Sequence, residues 1–235
     1  MQPQDEECQL RLSPDLQRMT DFVRANTRPM DVAGLSLTHS GVPRTMQLWL
    51  ADEITPIWTA TEAGLASTGI DPPFWAFPWA GGQAVARLVL ERPEIVRGQR
   101  VLDIASGSGL IAIAAASAGA AHVLANDIDP LCEAALALNT HANGVSALWL
   151  GENLLDHAVP DVDVILAGDI FYQKQMADQF LAWLGKAVEQ GINVYAGDPG
   201  RAYAPDGRAP LAEYDIDTTF DLEGVASRRA RVWKL

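Results

Sequence analysis

Between residues 82 and 196 the chain alternates two hydrophobic rhythms. Short apolar runs stand at Arg100-Val101-Leu102-Asp103-Ile104, His122-Val123-Leu124-Ala125, Ala147-Leu148-Trp149-Leu150, Val162 to Ala167 and Ile192 to Ala196. Their length and β-branched content predict buried strands. Between them, residues 82–91, Leu110 to Ala118, Pro130 to Asn143 and Gln175 to Gln190 carry helical spacing. This alternation of strand and helix predicts a parallel sheet with helices on both faces.

The flanks differ. Residues 13–27 read as a capped helix, with Ser13 as N-cap, Pro14 in the first turn, and Leu16, Met19, Phe22 and Val23 on one face. Residues 35–50 read as two short strands around Gly41-Val42-Pro43-Arg44. Residues 51–80 are broken by prolines and glycines yet hold Trp58, Phe74, Trp75, Phe77 and Trp79. That aromatic density predicts packing rather than disorder. After Pro199 no long helix follows; Tyr214 to Phe220 and Arg229 to Trp233 alternate like terminal strands. The expected division is an N-terminal extension over 1–80, packed on one α/β domain over 81–235.

Composition narrows the function. The 30 acids against 17 bases give −13 over 235 residues. Such a surface disfavours nucleic acid, whose binding needs Lys and Arg to neutralise phosphates, and anionic membranes. The acids gather in residues 81–200, which hold 14 against 6 bases. Cys8 and Cys132 make neither a disulfide framework nor a zinc cluster, and suggest reduced thiols in a cytoplasmic protein. His39, His122, His141 and His157 stand singly, so no metal site is expected. The polar start Met1 to Glu7 is unlike a secretory signal, and no apolar run reaches membrane-span length.

The sharpest local signal is Val101-Leu102-Asp103-Ile104-Ala105-Ser106-Gly107-Ser108-Gly109, a strand running into a glycine turn ahead of a helix. Such turns sit at the carboxyl edge of an open sheet, where ligands bind. Gly107-x-Gly109-x-x-Ala112 alone is a weak dinucleotide fingerprint. Asp103 argues against a pyrophosphate and for a cation, such as the sulfonium of S-adenosylmethionine; its other reading is a turn cap. Asp127, at the end of the next strand, can hold ribose hydroxyls in either cofactor. Asn153, after the third strand, can reach an adenine amine or bond its own loop. Trp79 can stack on that ring or fill the core. On the acceptor side, Asp169 and Tyr172 follow the fourth strand three residues apart, and Asp198 and Arg201 follow the fifth.

These segments resemble a known group. Asp103 to Gly109 is similar to the first motif of seven-strand methyltransferases, with Ala105 where that motif has its first glycine. Asp169-Ile-Phe-Tyr172 resembles the D-x-x-Y motif of protein-lysine methyltransferases. Asp71-Pro-Pro-Phe-Trp75-Ala, Trp79-Ala-Gly-Gly-Gln83-Ala, Ala125-Asn-Asp-Ile-Asp-Pro130, Gly168 to Tyr172 and Gly197-Asp-Pro-Gly-Arg201 together resemble the electron-transfer flavoprotein β-subunit lysine methyltransferases. The resemblance implies a seven-strand Rossmann-like sheet in the order 3-2-1-4-5-7-6, with strand seven antiparallel. It implies methyl transfer from S-adenosylmethionine, leaving S-adenosylhomocysteine, to a lysine of the electron-transfer flavoprotein β subunit; a monomer is expected. Trp79, Asp103, Ser106, Gly107, Gly109, Asp127, Ile128, Asn153, Leu154 and Ala167 would bind the cofactor, and Asp169 with Tyr172 the lysine. A ribosomal-protein or nicotinamide-type acceptor, and more remotely an NAD-dependent oxidoreductase or a non-catalytic binding module, remain alternatives at this stage.

Overall fold

The computed structural model describes residues 13–39, 42–52, 72–205, 207–218 and 224–235. Seven strands form one sheet: β3 (Arg100–Ile104), β4 (His122–Asn126), β5 (Leu148–Leu150), β6 (Val164–Gly168), β7 (Asn193–Asp198), β8 (Ala212–Asp217) and β9 (Ser227–Lys234). Their spatial order is β5-β4-β3-β6-β7-β9-β8. Only β9 runs against its neighbours, pairing antiparallel with β7 and β8. Counted from the first strand of this sheet, that is the expected order 3-2-1-4-5-7-6.

Alternation along the strands sorts side chains to two faces. Val101, Ala125, Val164 and Leu166 pack with α2 (Ala80–Glu91) and α3 (Leu110–Ser117). Leu102, Ile104, Ile165, Ala167 and Val194 pack with α5 (Lys174–Glu189). Pairing is in step: Ile104 lies beside Asn126 on one side and Ala167 on the other. The carboxyl ends of the central strands are therefore level, and the loops that follow them share one edge.

Ahead of the sheet, α1 (Pro14–Asn26) is capped by Ser13, whose Oγ accepts from the Leu16 N–H. The hairpin strands are longer than the sequence suggests: β1 is Arg28–His39 and β2 is Val42–Leu50. Residues 28–34 contain Pro29, Asp31 and Gly34, poor strand formers on their own. Pairing with β2 holds them extended, across a register shift between Asp31 and Ser36 where Gly34 has φ 75°. The outer edge of β2 meets α4 (Leu131–Asn143) instead of another strand. Asn143 accepts from the Gln47 N–H and donates to its carbonyl; Asn139 accepts from the Trp49 N–H. Side-chain amides one helical turn apart thus satisfy backbone groups two residues apart on the strand. The tail strands start and stop within a few residues of expectation. Cys8, Gly41, Trp58, Asp71, Asp206 and residues 219–223 lie outside the described residues.

Candidate active site

The loops at the carboxyl edge enclose a cavity of about 950 Å³. That is ample for a nucleoside-sized ligand, whose pockets run about 300–1,000 Å³. One wall is the turn after β3. Gly107 (φ 50°) and Gly109 (φ 77°) hold left-handed backbone, and a Cβ on Gly109 would sit 2.5 Å from Leu136 Cδ1. Ala105 also has positive φ, at 56°, with its methyl exposed toward the cavity. Clearance for the first-glycine position thus comes from open space at a cost in backbone strain. Asp127 ties the turn down: its Oδ2 accepts from the Gly107 N–H, and its Oδ1 from the Ile128 and Asp129 N–H groups. The buried Asn126 amide donates to the Leu150 and Glu152 carbonyls, fixing the loop after β5.

Of the ten residues expected at the cofactor, Trp79, Ser106, Gly107, Asp127, Ile128, Asn153 and Leu154 line this cavity. Three do not. Asp103 is fully buried and caps α3: its Oδ2 accepts from the Ala112 N–H at 2.9 Å. Burial, together with the nearby Asp127 charge, raises its pKa well above the usual carboxylate range. The structure sets it behind the turn as a helix cap rather than on the cavity wall, with its Oδ1 unpaired among the described residues. Gly109 is the first residue of the α3 cap, turned against Leu136, and Ala167 is buried in the core of β6. Asn153 lines the cavity, but its side chain already bonds the Leu155 N–H and Asp156.

The residues suit an adenosyl cofactor by a further sign. Ser106 and Trp75 line the cavity, and their Oγ and Nε1, like Asp103 Oδ1 behind the turn, are buried with no hydrogen-bond partner among the described residues. Unpaired polar atoms gathered beside a cavity leave room for a polar ligand to complete the pairing. Ile128, 71% exposed, and Trp79 offer apolar and aromatic surface to a base.

The acceptor side lies across the same cavity. Asp169 follows β6 with φ 59°, its N–H donating to the Gly197 carbonyl. Its Oδ2 accepts from the Gly82 N–H of α2 at 2.7 Å, and its Oδ1 pairs with Arg201. This contact needs glycines. A Cβ on Gly81 would meet the Gly197 carbonyl oxygen at 2.4 Å, and one on Gly168 would meet Gly82 Cα at 2.6 Å. Burial outweighs Arg201 and the Gly82 N–H, and the Asp169 carboxyl is pushed up to about 6. Arg201 also reaches Asp198, whose Oδ1 accepts the Gly200 and Arg201 N–H groups, and lies 6.0 Å from the Trp79 ring centre. Phe74, Trp79 and Tyr172 flank the entrance, with the Phe74 ring 6.0 Å from Trp79 and 5.7 Å from Tyr172. Arg201 and Phe74 received no role from the sequence, although both stand inside the quoted motifs. Among the described residues no cluster of His, Cys, Asp and Glu suits a metal ion.

Known proteins share these features. Residues 84–190 match the ribosomal protein L11 methyltransferase (PrmA) family. The electron transfer flavoprotein beta subunit lysine methyltransferase of Xenopus laevis is 40% identical over 168 residues, covering 68% of each chain. The chain belongs to this family of lysine methyltransferases. Its rat counterpart is 44% identical over 131 residues, covering 55% of this chain and 51% of its own length. The chain thus spans between half and about two thirds of these family members. Among solved structures, a T. thermophilus 16S rRNA methyltransferase in complex with AdoMet and guanosine aligns with TM-score 0.51 at 19% identity. It covers 89% of this chain and 50% of its own, and shows the methyltransferase fold.

Proposed function

We propose that this enzyme transfers methyl groups from S-adenosylmethionine to lysine ε-amines of the electron transfer flavoprotein beta subunit. The observation that carries the reading is the meeting of Asp169, Tyr172 and the glycine turn at one cavity, in a chain of this family. When bound, S-adenosylmethionine supplies an electrophilic sulfonium methyl. Ser106, Gly107, Asp127, Ile128, Leu154 and Trp79 would hold it, with Asn153 at the edge of the same wall.

The chain's own task is to present a neutral amine in line. Neutralising a free lysine at pH 7 costs about 4.6 kcal/mol, from a pKa of ~10.4. Cavity walls that are largely apolar disfavour its charged form. Phe74, Trp79 and Tyr172 give the aliphatic stem of the lysine an aromatic channel. Asp169 is fixed by Gly82 and Arg201, yet each carboxylate oxygen keeps a second lone pair. One of these accepts an amine N–H and turns the nitrogen lone pair toward the methyl. Burial raises the Tyr172 phenol above its usual pKa, so it stays protonated and hydrogen-bonds as a neutral hydroxyl. Holding the reacting atoms about 3–3.5 Å apart is the larger part of such catalysis.

The reading keeps the enzyme monomeric and cytoplasmic, in line with its reduced-thiol composition, and its acidity suits a basic protein segment better than nucleic acid. The test is transfer of labelled methyl groups to purified electron transfer flavoprotein beta subunit, with ribosomal protein L11 and lysate small molecules in parallel. Label on the flavoprotein subunit supports the proposal; label only on the others assigns a different acceptor.

A further inference from the structure

Arg201 stands where a bare Asp169 would create a problem. A carboxylate beside an incoming ammonium stabilises its charge and opposes the deprotonation that methyl transfer requires. In this structure that carboxylate already has a cation. Arg201 follows β7 through Gly200, whose φ of 90° turns the chain back over the sheet edge. Its guanidinium pairs with Asp169, reaches Asp198 at 3.4 Å and lies over the Trp79 ring. Asp198 is fully buried and Asp169 is 11% exposed, so solvent screens the three charges weakly.

We propose that Arg201 is a resident counter-cation that cancels the Asp169 charge, so that the acceptor amine enters beside a compensated carboxylate and sheds its proton to solvent before attack. Asp169, Arg201, Gly82 and Tyr172 line the cavity here, the Gly82 N–H bonding Asp169, while Asp198 from β7 lies buried behind Arg201 and bonds its backbone. The charge of Asp127, across the cavity, also reaches Tyr172. With Arg201 the ionised Asp169–Asp198 pair carries net −1; without it, ionising both carboxyls would leave −2. Arg201 acts through Asp169 and is a positioning residue, not one that touches the reacting atoms. The inference rests on the lysine methyltransferase reading.

Arg201→Gln tests it, assayed with purified electron transfer flavoprotein beta subunit across pH. An opposite charge at ~4–6 Å moves a pKa by about 1–3 units. The acidic limb of kcat is therefore expected to move up by about one pH unit or more, with kcat down about tenfold at pH 7 and recovered at alkaline pH. KM at pH 7 is expected to fall or hold, since the unmasked carboxylates grip the ammonium. Arg201→Lys is expected to keep the wild-type limb. Asp169→Asn/Arg201→Gln restores net −1; with no turnover expected once the Asp169 carboxylate is gone, it is read by proton release on subunit binding, which is expected to return to the wild-type level. Calorimetry of subunit binding to the S-adenosylhomocysteine complex gives a reading without turnover: wild type is expected to release more protons at pH 7 than Arg201→Gln. A kcat loss equal at every pH, or an unmoved limb in Arg201→Gln, overturns the role of Arg201 alone. Absence of wild-type methylation overturns the functional reading and this inference together.

Discussion

Among the described residues, two other than glycine hold left-handed backbone, Ala105 at φ 56° and Asp169 at φ 59°, and both line the cavity. Strain of this kind costs about 1–2 kcal/mol for an L-residue and gathers at functional sites. Ala105→Gly removes the conflict, and a net gain of about 1 kcal/mol is expected, read by urea unfolding; an equal loss would contradict the account. Asp169 carries a second cost. Its native pKa of about 6 lies above the ordinary 3.8, so the folded state binds the extra proton between those values. Stability from this group is then full below the lower value and lost as pH rises through about 6, on the order of 3 kcal/mol. Relative to Asp169→Asn, the wild-type protein is expected to lose unfolding free energy from about pH 4 to about pH 7; a flat difference would refute the burial argument. At this scale the spacing brought out Asp169 and Tyr172, which the structure sets on the cavity wall, whereas Asp103 lies buried behind the turn. A carboxylate ahead of a glycine turn looks the same in sequence whether it faces a ligand or caps the helix. Arg201 was visible as a base at a strand end, but its partner is 32 residues away and only the β6–β7 pairing joins them.

The elements converge through close backbone contact. The start of α2 sits on the ends of β6 and β7 at glycines, which lets the Gly82 N–H reach Asp169. Gly81→Ala places a methyl 2.4 Å from the Gly197 carbonyl oxygen and 2.7 Å from Asp169 Oδ2. A loss of about 1–3 kcal/mol in chemical denaturation is expected, with kcat reduced as Asp169 shifts. Gly82→Ala, whose Cβ finds nothing nearer than 3.8 Å, is expected to stay within about 1 kcal/mol of wild type. Equal effects in the two would contradict the role of this contact. Helices and strands from 80 to 198 were legible because period and burial agree there. The hairpin was only half legible: its first seven residues are extended by pairing, and its outer edge is satisfied by Asn139 and Asn143, an arrangement no local propensity encodes.

Across the whole molecule the negative charge has a distribution. Seven acids at or beyond strand ends, Asp103, Asp127, Asp129, Glu152, Asp156, Asp169 and Asp198, invite the view that the carboxyl edge is acidic as a block. Asp127, Asp129, Glu152 and Asp169 do line the cavity, whereas Asp103 and Asp198 are fully buried and bonded to backbone. The edge therefore presents fewer charges than the sequence count, interleaved with Phe74, Ile128 and Tyr172. Raising salt is expected to weaken binding of the protein substrate more than that of S-adenosylhomocysteine, since exposed charges are screened beyond ~10 Å at 0.1 M. Equal salt slopes in calorimetric titrations would remove the charge argument.

The central claim is that Asp169 and its cavity methylate lysine on a specific protein. Tandem mass spectrometry of electron transfer flavoprotein beta subunit, after incubation with S-adenosylmethionine and either wild type or Asp169→Ala, addresses it directly. The expected result is methylated lysine with wild type and none with the variant, while the variant still binds S-adenosylhomocysteine. Unmodified lysines with wild type, or equal methylation by both proteins, would contradict it.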